Sequence, residues 1–139
     1  MTAQPRIFAP ELPTERQVQR AILKMCGTCF REVFITAVPN GAHLAGNDIA
    51  RFKQMGAMKG DGLKVGFPDL LCLWRPGKGC SIEVKRPKLG RISEDQERVH
   101  GILDELEWPV TTVCSTEEAY HFLIDCGAPC SAPWQKEPF

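Results

Sequence analysis

Apolar and polar positions change period several times along the chain, and each change marks an element. Val18, Ala21, Ile22 and Met25 recur at helical spacing behind Thr14-Glu15-Arg16-Gln17, a capping box in which the Thr14 and Gln17 side chains serve each other's backbone N–H. A helix of about three turns is predicted there, ending near Gly27. Residues 32–38, Glu-Val-Phe-Ile-Thr-Ala-Val, are β-branched and aromatic and read as a strand stopped by Pro39-Asn40-Gly41. The connection onward to Gly66 is too long for structureless loop, and Asn47 or Asp48 is placed to cap a short helix carrying Ile49, Phe52 and Met55.

Residues 69–74, Asp-Leu-Leu-Cys-Leu-Trp, form a near-continuous apolar strand, Pro76-Gly77-Lys78-Gly79 a turn, and residues 80–85 its antiparallel partner. Ser93-x-x-Gln96 is a second capping box, opening a helix with an apolar stripe of Val99, Ile102, Leu103 and Leu106. A short strand over 110–113 and a helix over 116–125 packing Ala119, Phe122 and Leu123 complete the pattern. The order α, β, α, β, β, α, β, α predicts an α/β domain: a mixed β-sheet flanked by helices, with one helical crossover after the central hairpin. A chain of 139 residues has room for one core, so a single domain over residues 1–139 is expected, its core about 14–124 and an irregular Pro- and Cys-containing tail over 126–139.

Composition narrows the class. No apolar run approaches the ~20 residues that cross a bilayer, and the N-terminus lacks a basic segment followed by an apolar one. The expected location is the cytoplasm, with no membrane partner. Seven cysteines raise two other readings. Cys26-Gly-Thr-Cys29 and the pair Cys126 and Cys130 have spacings compatible with a four-cysteine zinc site or a redox dithiol. A redox CxxC opens a helix, whereas this one falls at a helix end, so free thiols in a reducing cytosol are the simpler expectation.

Lys and Arg balance Asp and Glu at 17 each, but unevenly. Residues 51–91 hold ten basic and three acidic side chains, and residues 92–139 hold two basic and ten acidic. Arg51, Lys53, Lys64, Arg86, Lys88 and Arg91, with Lys59, Arg75, Lys78 and Lys85, thus concentrate positive charge suited to a polyanion.

The candidate chemistry lies on the hairpin. Alternation puts Glu83 and Lys85 on one strand face and Ile82 and Val84 on the other. Asp69 starts the neighbouring strand and is brought near Glu83. Two converging carboxylates repel unless a cation sits between them, and oxygen ligands select Mg²⁺ or Mn²⁺ over zinc. Lys85 beside them can orient a water and steady charge on a phosphate. The competing reading of the three residues alone is an inert salt bridge.

Further motifs separate these readings. Gly66-Phe67-Pro68-Asp69-Leu70, Ile82-Glu83-Val84-Lys85-Arg86 and Gly90-Arg91-Ile92-Ser93-x-x-Gln96 closely resemble the VRR-NUC family of the PD-(D/E)XK nuclease superfamily. Val38-Pro39-Asn40-Gly41-Ala42-His43 is similar to its strand-end turn, with Ala42 where the family usually has a second glycine. The likeness spans roughly residues 14–124. It implies a restriction-endonuclease-like core, with Asp69 and Glu83 as metal ligands, the Val84 carbonyl as a third and Lys85 as the catalytic lysine. It further implies Glu15 as an accessory ligand to metal or water, Gln96 as an aid near the scissile phosphate, and His43 and Arg51 as DNA contacts. The function expected from it is Mg²⁺- or Mn²⁺-dependent endonucleolytic cleavage of duplex or branched DNA by a homodimer, leaving a 5′-phosphate. The alternative is a DNA-binding module of the same fold that does not cut. The acidic C-terminal third and cysteine-rich tail have no counterpart in the family pattern.

Overall fold

A computed structural model describes residues 11–39 and 46–136. Helix α1 (Glu15–Cys29) opens on the expected capping box: Thr14 Oγ1 accepts the Gln17 N–H at 3.2 Å and Gln17 Oε1 accepts the Thr14 N–H at 2.9 Å. Such a cap is worth about 1 kcal/mol. The helix runs through Gly27, two residues past the expected end, because Cys26 and Cys29 continue the buried stripe of Val18, Ile22 and Met25.

Strand β1 (Phe34–Ala37) is shorter than the apolar run that predicts it. Helix α2 (Asp48–Gly60) is capped by Asn47, whose side chain accepts the Ala50 N–H at 2.8 Å. It is longer than the short helix expected, and its apolar residues do not form a core face. Ile49 and Phe52 are 68 % and 81 % exposed, and no side chain of α2 is buried. Amphipathic spacing buries a helix only where another element is placed to receive it, and among the described residues α2 packs extensively on none.

Strands β2 (Leu70–Trp74) and β3 (Lys78–Val84) form the central antiparallel hairpin, with Leu70 opposite Ile82 and Cys72 opposite Cys80. Strand β1 pairs antiparallel with β2, and β4 (Val110–Val113) pairs parallel with β3, giving the order β1-β2-β3-β4. The parallel step is bridged by α3 (Glu94–Glu105), which starts at the Ser93–Gln96 capping box. Helix α4 (Thr116–Asp125), capped by Ser115, follows β4. The mixed sheet flanked by helices is the architecture the hydrophobic pattern predicts.

The two sheet faces receive different helices. Leu70, Cys72 and Trp74 of β2 and Cys80, Ile82 and Val84 of β3 join the buried side chains of α1 and α4 in one core. Ile22, Leu70, Ile82 and Leu123 are fully buried there, each stabilising the fold by roughly 1.5–3 kcal/mol of transfer free energy. The segment after α4 closes this layer, as the Ser131 N–H and Oγ donate to the Cys29 and Thr28 carbonyls. Helix α3 covers the opposite face. Its buried residues are Val99 and Leu103, while Ile102 and Leu106, expected in the stripe, are 45 % and 70 % exposed. The helix is turned so that Gln96 and His100 share the inward face with Val99 and Leu103, an i, i+3, i+4, i+7 set that excludes Ile102 and Leu106.

Candidate active site

The strand register assembles the site. Leu70 pairs with Ile82, so the next step outward sets Asp69 across from Glu83 on the face toward α3. Asp69 is held from both neighbouring strands: its carbonyl accepts the Val38 N–H at 2.8 Å and its Oδ2 accepts the Val84 N–H at 2.8 Å. The Gly66-Phe67-Pro68 segment before it requires its glycine. Gly66 has φ +95°, and a side chain there would collide with the backbone of Asp95 and Gln96. The loop carrying Asp69 therefore lies directly against the start of α3.

Glu83 is completely buried. Its Oε1 accepts from Gln96 Nε2 at 2.9 Å and lies 3.9 Å from Lys85 Nζ. Its Oε2 has no hydrogen-bond partner among the described residues and faces His100 Nε2 at 3.7 Å, itself buried and unpartnered. Burial first, then the hydrogen bond and charge of Asp69, push the Glu83 carboxyl up to about 9; Glu15 adds to the rise and Lys85 opposes it. A carboxyl in this position keeps its proton at neutral pH until a positive charge arrives.

Lys85 continues β3 by donating its N–H to the Val113 carbonyl at 2.9 Å, and its side chain is mostly buried beside Glu83. Gln96 fills two roles at once: Oε1 accepts the Ser93 N–H while Nε2 donates to Glu83. Glu15 is exposed at the start of α1, near enough for its charge to act on Glu83. Asp69, Glu83, Val84, Lys85 and Gln96 are thus brought together, with Glu15 exposed outside this cluster.

The basic residues divide. Arg51 and Lys53 on α2, Lys64 in the following loop, and Lys88 and Arg91 between β3 and α3 are exposed. Arg86 is only partly exposed; its guanidinium donates to the Leu12 carbonyl at 3.3 Å, so it ties the segment before α1 to the end of β3, and its buried Nε has no partner among the described residues. The turn at residues 87–89 folds Gly90 back onto this pair, where a Cβ would lie 2.8 Å from Arg86 backbone and Lys85 Cβ. His43 and the Asn40-Gly41-Ala42 turn lie outside the described residues. His100 is the site residue that sequence reasoning missed. Its signal is the four-residue spacing from Gln96, which places both on one helix face.

A family model for the VRR-NUC domain matches residues 14–116. The chain belongs to the VRR-NUC family. Comparisons with curated proteins and with solved structures return no match. The VRR-NUC family is a nuclease family, and the mixed sheet with its flanking helices is consistent with a restriction-endonuclease-like fold. Of the motifs carrying the resemblance, those at residues 66–70, 82–86 and 90–96 fall at the converging ends of β2, β3 and α3.

These VRR-NUC residues suit a hard divalent cation. Two carboxylates face each other, and one buried oxygen has no partner. As the side chains lie, no three His, Cys, Asp or Glu among the described residues are grouped to hold an ion. Mg²⁺ is held by as few as one or two carboxylates and completes its shell with water and phosphate oxygen. The cysteines offer no competing centre among the described residues. All seven are free, and Cys26, Cys29, Cys72 and Cys80 are buried in the apolar core. Burial, with help from the neighbouring thiols Cys72 and Cys29, pushes Cys26 up to about 12, away from reactive thiolate.

Proposed function

We propose that this VRR-NUC domain is a Mg²⁺- or Mn²⁺-dependent endonuclease that hydrolyses DNA phosphodiester bonds, with branched DNA as preferred substrate and a homodimer as the working form. The observation that carries the reading is the fully buried Glu83, opposite Asp69 and beside Lys85, with an unpartnered oxygen inside the site. Asp69 and Glu83, with the Val84 carbonyl, would hold the cation, which when bound would polarise the scissile phosphate and a water.

The chain's own groups supply the rest. Lys85, held 3.9 Å from Glu83 Oε1, is placed to orient the attacking water and to offset charge developing on the phosphate. Gln96 reaches the same carboxylate from α3, and Glu15 adds an acid at the rim. Exposed Arg51, Lys53, Lys64, Lys88 and Arg91 grip phosphates along the substrate. Arg86 contributes by anchoring the segment that carries Glu15. In-line attack leaves a 5′-phosphate. One domain of this size presents little surface to a duplex, which supports the dimer and the paired cuts of branched DNA.

The test incubates the protein with supercoiled plasmid, linear duplex and four-way junction DNA, with Mg²⁺, Mn²⁺ or chelator. Cleavage that needs the metal and drops at least about 100-fold in Asp69→Asn and Lys85→Ala is expected. Cleavage surviving both substitutions would overturn the assignment. Salt-sensitive binding without any cutting would favour the non-cleaving module, against which the intact Asp69, Glu83 and Lys85 stand.

A further inference from the structure

Both oxygens of Glu83 turn toward α3. Oε1 receives Gln96 Nε2 at 2.9 Å, and Oε2 looks onto His100 Nε2 at 3.7 Å. Gln96 and His100 stand one helical turn apart, on the same face as the buried Val99 and Leu103. From this geometry we propose that His100 is a positioning residue for the nuclease reaction, forming with Gln96 a two-point clamp that fixes the plane of the Glu83 carboxylate. The inference rests on the nuclease reading and assigns His100 a part in it.

Buried polar atoms in folded proteins nearly always have partners. Among the described residues, Glu83 Oε2 and His100 Nε2 have no hydrogen-bond partner and face each other at 3.7 Å. Their separation exceeds a hydrogen bond by less than about 1 Å, so once a bound cation has displaced the Glu83 proton, a small side-chain adjustment would close it with the ring proton on Nε2. The His100 side chain is 15 % exposed, which leaves water little room to compete. Val99 and Leu103 of the same helix are buried, and the Gly66 loop abuts its first turn. Gln96 is itself fixed, because its Oε1 is occupied by the Ser93 N–H. A carboxylate held at both oxygens cannot rotate about its terminal bond, yet each oxygen keeps a lone pair for a cation.

Calorimetric titration of the DNA-free full chain with Mn²⁺ tests the clamp without relying on turnover. His100→Ala is expected to bind Mn²⁺ at least about tenfold more weakly, the usual size of an outer-partner effect. His100→Gln, whose amide reaches Oε2, is expected to stay within about threefold of the parent. His100→Asn falls short of Oε2 and is expected to match alanine, which keeps the test available if the alanine variant does not fold. The visible spectrum of bound Co²⁺ should keep its shape in His100→Gln. Unchanged Mn²⁺ affinity in both His100→Ala and His100→Asn overturns the clamp, and a Co²⁺ spectrum altered in His100→Gln overturns it by making His100 a ligand. A parent that binds no Mn²⁺ overturns the nuclease reading and the clamp together, whereas a parent that binds and cuts alongside silent His100 variants removes the clamp alone.

Discussion

The two faces of β3 are equally buried and chemically opposite. Toward α1 and α4 it shows Cys80, Ile82 and Val84, all within the apolar core. Toward α3 it shows Ser81 and Glu83, both at 0 % exposure, with Lys85 just beyond. On the first face burial is favourable in itself. On the second it is tolerable only where partners are supplied, and the supply is uneven. Ser81 Oγ accepts from Trp108 Nε1 at 2.9 Å and is satisfied, whereas Glu83 retains an oxygen without a partner among the described residues. The difference teaches where this strand stabilises the fold and where it holds reactive groups at a cost in stability.

Neighbouring substitutions separate the two roles most sharply. Ile82→Ala is expected to destabilise the protein by about 2–5 kcal/mol, seen as a lower urea midpoint, while cleavage per folded molecule persists. Glu83→Gln should do the reverse, cutting cleavage at least about 100-fold with a far smaller change in midpoint. If the two variants lose stability and activity in parallel, the faces are not functionally distinct.

A smaller effect is expected at the satisfied pair. Ser81→Ala leaves the Trp108 indole N–H without its acceptor and should cost about 1–3 kcal/mol, part of which Trp108→Phe in the same chain should restore. Additive losses in the double variant would show that the hydrogen bond is not what matters there.

The pH response isolates Glu83 further. An ordinary glutamate loses its proton near 4.5, whereas Glu83 keeps it up to about 9, first because of burial and then because of Asp69. Between those values the folded state binds the extra proton, so chelated protein should lose stability as pH rises from about 5 to 9. Glu83→Gln should flatten that part of the profile in denaturation curves. By the same linkage, cation binding should release a proton and tighten with rising pH over this range. The smallest effect belongs to α2, where Phe52→Ser should stay within about 0.5 kcal/mol of the parent in the monomer, since Phe52 is 81 % exposed.

Much of this organisation can be read along the chain. Strand alternation separates Glu83 and Lys85 from Ile82 and Val84, and the capping residues Thr14, Asn47 and Ser93 mark helix starts because they bond their own backbone. These are local effects. Tertiary ones are harder to read. His100 sits mid-helix, where a polar residue ordinarily faces solvent, and only the rotation of α3 turns it inward. Arg86 belongs by sequence to a basic run, yet the Leu12 carbonyl, 74 positions away, draws its guanidinium down. The same holds for α2, whose apolar spacing predicts a helix but not a partner.

Strand β1 lies at an edge of the sheet, where unpaired backbone groups invite strands from other molecules. It spans four residues, and Pro39, two positions on, lacks an N–H to offer. An incoming strand therefore meets a short ladder that breaks off at the proline. The exposed Phe34 at its start sits beside a ladder shorter than the segments of about six or seven residues that stack into cross-β assemblies.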